Sequence, residues 1–130
     1  MIVVDASALL EVLLRTPAAA RVARRLFARG ESLHAPHLLD VEVAQVVRRY
    51  WRAGEVAGDR GHEVLEDLAA FPIERYAHAL LLPRVWELRH KVTAYDAVYL
   101  ALAEAIGATL LTRDARLASV PGHRAAVELV

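Results

Sequence analysis

Apolar residues in this chain form short, β-branched runs separated by longer stretches with a helical period. Residues 2–4, Ile-Val-Val, make an unbroken apolar run ending at Asp5, which predicts a buried strand. Ser7 is placed to cap a helix reaching Leu14. Thr16-Pro17 offers a second helix start, with Gly30 as its stop. Residues 32–35 predict a second strand, closed by Pro36 and followed by a long helix over about 37–53 that Gly54 ends. A weaker helical pattern covers about 59–69. Residues 71–74 predict a third strand, and Pro72 assigns it to a sheet edge. Pro83 suits the first turn of a helix ending near His90. Residues 93–106 predict a helix closed by Gly107. A strand at 109–111, a helical turn at 115–118 and a last strand at 126–130 complete the chain.

Short apolar strands alternating with helices are the pattern of a parallel sheet covered on both faces. No repeat, low-complexity segment or linker interrupts it, so residues 1–130 read as one domain. Ligands of such sheets lie beyond the carboxyl ends of the strands, where the strand order reverses. The residues that leave each strand are therefore the ones to examine for chemistry.

Composition narrows the classes. A hydrophobic share of 56% excludes a disordered chain. With no cysteine, disulfides, thiolate zinc sites and cysteine nucleophiles are excluded. No apolar run approaches the ~18 residues of a membrane span, and no basic stretch precedes Asp5. A cytoplasmic protein without a membrane partner is the expectation. Sixteen basic residues balance sixteen acidic ones, and only Lys91 among the basic ones is not arginine. A zero balance gives no sign of a nucleic-acid binder, although it averages over all faces of the molecule.

Four carboxylates occupy the informative positions. Asp5 ends the first strand, and Asp114 follows the 109–111 strand in Thr-Arg-Asp. Each also suits a helix cap. Asp96 sits in the first turn of the 93–106 helix, where Thr93-Ala-Tyr-Asp resembles a capping box. The stripe Tyr95, Tyr99, Leu102, Ala103, Ile106 puts Asp96 at the edge of that helix's buried face. On the long helix, Leu39, Val43, Val46, Val47 and Tyr50 form the apolar stripe, and Glu42 lies at its boundary. Ser7 and Thr112 are hydroxyls suited to orienting a neighbouring carboxylate. Singly, each acid has a structural reading. Jointly, converging at one sheet edge, they would repel one another and stay ionised only around cations. Hard, oxygen-seeking ions such as Mg²⁺ or Mn²⁺ suit that set, as one ion or as a pair about 4 Å apart that activates water at a phosphodiester.

At these residues the chain resembles the PIN-domain family, and within it the VapC-type toxin ribonucleases. The likeness rests on Ile2-Val3-Val4-Asp5-Ala6-Ser7, on Glu42 after Pro36, on Tyr95-Asp96-Ala97-Val98-Tyr99-Leu100-Ala101-Leu102-Ala103, and on Leu111-Thr112-Arg113-Asp114. It implies a three-layer α/β/α domain with a five-stranded parallel sheet in order 3-2-1-4-5. It implies Asp5, Glu42, Asp96 and Asp114 as the catalytic, metal-holding acids, with Ser7 and Thr112 in support. It further implies Mg²⁺- or Mn²⁺-dependent cleavage of RNA, often tRNA or ribosomal RNA. A homodimer and a cognate antitoxin protein are the implied partners. One departure bears on a second metal: where some members carry a further acid beyond Thr-x-Asp, this chain has Arg116 and Leu117.

Arg48, Arg49, Arg52, Arg113 and Arg116 flank the acids in sequence and are candidates for RNA-backbone contacts. The six histidines share no metal-ligand spacing and read as surface or boundary residues. Three other readings compete: a catalytically inactive PIN-like module that binds RNA or a partner, a metal-dependent phosphatase, and a pure partner-binding protein. Retention of all four acids disfavours the first. Ala6-Ser7 disfavours the second, because an aspartyl-phosphate enzyme would carry a second aspartate at position 7. Apolar residues at 9–14 and 22–27 exceed what one helical face must bury, and leave room for a partner groove.

Overall fold

The computed structural model describes residues 1–130. Five strands, β1 (Ile2–Val4), β2 (Leu33–Pro36), β3 (Ile73–Tyr76), β4 (Thr109–Thr112) and β5 (Ala126–Leu129), pair in parallel in the order β3-β2-β1-β4-β5. Seven helices connect them: α1 (Ala6–Leu13), α2 (Ala19–Leu26), α3 (Leu38–Arg52), α4 (Gly58–Ala70), α5 (Leu82–Glu87), α6 (Ala94–Ile106) and α7 (Ala115–Ala118). A 3₁₀ turn at Ala79–Leu81 leads into α5. No helix is long and apolar enough to cross a membrane.

The pleat of the sheet builds three layers. Ile2, Val4, Leu33, Ala35 and Leu111 point to one face, where they pack against α1, α2, α3 and α4. Val3 and Leu110 point to the other, against α5, α6 and α7. Side chains alternate between faces along a strand, so both faces of a covered parallel sheet must be apolar. That requirement accounts for the unbroken Ile-Val-Val run. Ile2 pairs with Leu33 on one side of β1 and with Thr109 on the other. β1 therefore lies at the point where the chain changes direction across the sheet, and its carboxyl end opens a crevice there.

Several local expectations are corrected. Asp5, not Ser7, caps α1: its carboxylate accepts from the Ala8 N–H at 3.0 Å. Ser7 lies inside the first turn, freeing its hydroxyl for longer-range contacts. Thr16-Pro17 forms a turn, with Thr16 Oγ1 accepting from the Ala18 N–H, and α2 starts only at Ala19. Gly30 does not stop α2, which ends at Leu26; it supplies a left-handed residue (φ +84°) to the following turn. β3 begins two residues later than expected, because Pro72 has no N–H to donate and pairing starts at Ile73 opposite Leu33. Its edge position is as expected. His34 is buried in β2, held between the Ser32 hydroxyl and the Tyr76 phenol at 2.8 Å each, so it is not a surface histidine.

Two helix stripes also differ. On α3, Leu39, Val43 and Val47 are buried, whereas Val46 is half-buried and Tyr50 is exposed. On α6, residues 97–103 are all buried, while Tyr95, expected in the core, is 65% exposed.

Candidate active site

Three chain segments meet at the carboxyl end of β1. The Asp5 N–H donates to the Leu111 carbonyl at 3.2 Å, which locks the strand end beside β4. Asp5 is only 7% exposed, yet its carboxylate is well served. Ser7 Oγ donates to Oδ1 at 2.6 Å, the Ala8 N–H reaches the same oxygen, and the Thr112 hydroxyl donates to Oδ2. The two hydroxyls in turn accept backbone donors from the next loop. Ser7 Oγ accepts from the Arg113 N–H and Thr112 Oγ1 from the Asp114 N–H, each at 2.9 Å. Each hydroxyl has one proton to give and lone pairs to accept with. The backbone bonds therefore direct both protons at Asp5. Burial raises the Asp5 pKa, and these hydrogen bonds oppose it.

Glu42 projects from α3 and Asp96 from α6. The Tyr99 phenol, one turn beyond Asp96, donates to Glu42 Oε1 at 2.6 Å. Tyr99 is buried, and its own pKa is pushed far up by burial and by the Glu42 charge. Glu42 is raised first by burial, then by the charges of Asp5 and Asp96. Asp96 is raised by burial and by the charge of Asp114. The four acids are thus an electrostatic row, from Asp5 through Glu42 and Asp96 to Asp114. Asp114 differs from the others. Arg116 forks onto its carboxylate at 2.6 to 3.2 Å and holds its pKa below the usual range. Asp114 also caps α7, and Thr93 caps α6 by accepting from the Asp96 N–H, so both structural readings of these acids hold alongside their place in the row.

All the donors here are oxygens, and three of the acids are raised in pKa by burial, with like charge adding to it at Glu42 and Asp96. That is the environment a hard divalent cation stabilises. As the side chains stand, no three acidic or histidine groups are drawn together around one point. The arginine expectations separate. Arg49 lines a groove beside Glu42, whereas Arg48 and Arg52 are exposed on α3 away from it. Arg113 donates to the Val130 carbonyl and pairs with Glu11 at 3.3 Å, and Arg116 is committed to Asp114.

That groove, about 550 Å³, runs away from the acids between α1 and α3. Its α3 wall is Glu42, Gln45, Val46, Arg49 and Tyr50, which is one helical stripe at i, i+3, i+4, i+7 and i+8. Its α1 wall is Ser7, Leu10, Glu11 and Leu14, a matching stripe. Ser7 and Glu42 therefore belong both to the acidic row's surroundings and to the groove. Val46 and Tyr50, which helical periodicity assigns to the core, line this groove instead. Tyr99 has a site role that periodicity alone does not give it. Its one signal in the sequence is a phenol three residues beyond Asp96 on the same helix side.

Comparison with known proteins places this architecture. The PIN domain family model matches residues 2–123. The chain is 43% identical over 130 residues to Ribonuclease VapC12 of Mycobacterium tuberculosis, covering 100% of this chain and 99% of that one. The crystal structure of PAE2754 from Pyrobaculum aerophilum superposes with a TM-score of 0.70 at 26% identity, over 97% of this chain and 81% of that one. That of VapBC2 from Rickettsia felis, bound to a DNA fragment from its promoter, gives 0.75 at 16% identity, over 100% and 99%. The five-stranded sheet and the full-length match agree: this chain belongs to the PIN-domain family, as a protein of the VapC type.

Proposed function

We propose that this chain is a Mg²⁺- or Mn²⁺-dependent endoribonuclease, the toxin of a toxin–antitoxin pair, cleaving single-stranded or loop segments of RNA such as tRNA or ribosomal RNA. The observation that carries the reading is the Asp5 carboxylate, buried and aimed by Ser7 and Thr112 into a row with Glu42 and Asp96. A purely structural cap would not need two hydroxyls, on α1 and β4, each fixed by a backbone donor of the loop after β4. The VapC12 relative is named a ribonuclease, which agrees. The similar Rickettsia felis structure is a VapBC complex, which supports a cognate antitoxin as partner here. A homodimer is part of the same reading.

Asp5, Glu42 and Asp96 would hold the cation, with Asp114 joining if it releases Arg116. When bound, such a cation supplies Lewis-acid polarisation of the phosphoryl oxygens and acidifies a water. The protein groups do the rest. Ser7 and Thr112 keep Asp5 in one orientation. Tyr99 occupies Glu42 Oε1, leaving Oε2 to accept the proton of the attacking water. A bond forms between that water oxygen and phosphorus, and the bond from phosphorus to the 3′ oxygen breaks, that oxygen taking a proton from solvent. The products are a 5′-phosphate and a 3′-hydroxyl.

The test is cleavage of RNA by purified protein with Mg²⁺ or Mn²⁺, mapped by end sequencing. Asp96→Asn is expected to abolish cleavage while circular dichroism stays unchanged. Cleavage at the wild-type rate by folded Asp96→Asn would overturn the site. Persistence in a chelator would overturn metal dependence. Growth arrest on expression, relieved by Asp5→Ala, checks the toxin role.

A further inference from the structure

The groove between α1 and α3 begins at Glu42, one of the four acids, and at Ser7, which orients another, and then runs on past them. We propose that it is a nucleobase subsite. In this reading, the base next to the scissile phosphate enters it and stacks on Tyr50, and Gln45 reads the base edge. The proposal rests on the ribonuclease reading above and adds to it where sequence selectivity resides.

Four features favour a nucleotide as the occupant. The first is continuity: a phosphate held at Asp5 and Glu42 carries its attached nucleoside into whichever cavity adjoins them. The second is size and shape. About 550 Å³ is far more than an ion needs and is in the range of small-ligand pockets. The α3 stripe from Glu42 to Tyr50 spans about 12 Å at 1.5 Å per residue, enough for a nucleoside. The third is chemistry. Leu10, Leu14 and Val46 offer apolar walls, Tyr50 a ring face, and Gln45 a side-chain amide with both donors and an acceptor. Aromatic faces bind single-stranded bases by stacking, and amides suit base edges.

The fourth is charge. Glu11, the groove's acid beyond Glu42, is paired with Arg113 and accepts a hydrogen bond from the Thr16 hydroxyl. Arg49 makes no ion pair with any carboxylate of the chain and remains to meet a phosphate oxygen. On the other side of the acidic row, Asp96 lines a second cavity of about 330 Å³ with Lys91 and Arg116 on its walls. A strand crossing the acids thus has room on both sides, and only the α1–α3 side carries an aromatic face and an amide. Selectivity is therefore assigned to that side.

The experiment offers wild-type protein a pool of single-stranded RNA randomised in sequence, with Mn²⁺, and sequences the new ends. A nucleotide preference beside the cut is expected. Gln45→Ala should flatten it, and Tyr50→Ala should raise KM by roughly tenfold, the worth of one stacked base, with kcat at saturation little changed in either variant. Both side chains are at the surface, so folding should survive either change. An unchanged preference and KM in both variants would overturn the subsite. If wild-type cuts nothing, the ribonuclease reading fails, and photocrosslinking of 4-thiouridine-containing RNA to the same protein decides the subsite separately. Crosslinks to residues 6–14 or 45–50 support it, whereas crosslinks only elsewhere, or none, overturn it. A groove filled by an antitoxin-derived peptide with no loss of RNA crosslinking would overturn it too, identifying a peptide seat.

Discussion

A buried carboxylate costs folding energy when it is ionised, and Asp5 is the case in point. Its pKa is raised by burial, so the folded state binds its proton more tightly than the unfolded chain does. This contribution is therefore unfavourable at neutral pH and is relieved as the pH falls through the raised value. Asn at position 5 keeps a helix-capping oxygen and removes the charge. In metal-free buffer at pH 7, Asp5→Asn should melt no lower than wild type, while RNA cleavage is lost. A clear fall in Tm would mean that the ionised carboxylate stabilises the fold. Tyr99 offers a sharper probe. Its hydrogen bond lowers the Glu42 pKa against burial and like charge. Tyr99→Phe should raise that pKa further, so the acid limb of the pH–rate profile moves to higher pH. A profile that keeps its position with only the maximum reduced would remove Tyr99 from the tuning of Glu42.

Among the elements, α6 bears the most on both site and fold. It brings Asp96 and Tyr99 to the crevice at its first turns and is clamped at its last. There Glu104 accepts from Arg84 on α5 at 2.7 and 3.0 Å and from the Arg124 N–H at 2.6 Å. The Glu104 side chain is 8% exposed. The Arg84 bonds hold its pKa below the ordinary 4.5. A lowered carboxylate contributes stability that is full above its unfolded pKa and is lost as pH falls through the folded one. Glu104→Gln should therefore cost about 1–3 kcal/mol at pH 7. The deficit should shrink below pH 4.5, where wild type loses the charge as well. Denaturant melts at pH 7 and pH 3 check this, and an equal deficit at both would assign the loss to packing. The element boundaries show what local pattern can resolve. Thr93 and Gly107 were legible as the ends of α6 because a threonine cap and a left-handed glycine are local devices. The 65% exposure of Tyr95 was not, because its helical period matches that of the core residues, and which of them is covered depends on packing partners distant in the chain.

Across the whole molecule, the formal neutrality divides into two parts. Apart from the four site acids, sixteen bases face twelve acids, a balance of +4. Neutralising the row with a divalent ion would leave a basic surface toward RNA. RNA affinity should then rise with Mg²⁺, whereas monovalent salt of equal ionic strength only screens phosphate contacts and weakens it. Filter binding with Asp96→Asn as the reference checks this: the variant should gain less from Mg²⁺ than wild type, and an equal gain would detach the effect from the acids. Leu80, Leu82 and Trp86 leave a largely exposed apolar strip around the start of α5. The proposed homodimer predicts twice the monomer mass in sedimentation, and Trp86→Arg tests whether this strip forms the contact.

The order of strands and helices and the family were readable from residue pattern, and the four acids were legible as candidates. Strand runs and helical stripes are local, and the four acids stand in motifs that stay together along the chain. Only the folded structure decided which groups serve those acids. Ser7 and Thr112 lie 105 residues apart, yet both give their protons to one carboxylate, and Tyr99 meets Glu42 across 57 residues. Those contacts follow from β4 lying against β1, and from α3 and α6, on opposite faces of the sheet, both reaching its carboxyl end, an arrangement no local spacing encodes. The groove is of the same kind. Its two walls are stripes that each read as ordinary helix faces until the sheet sets them opposite each other.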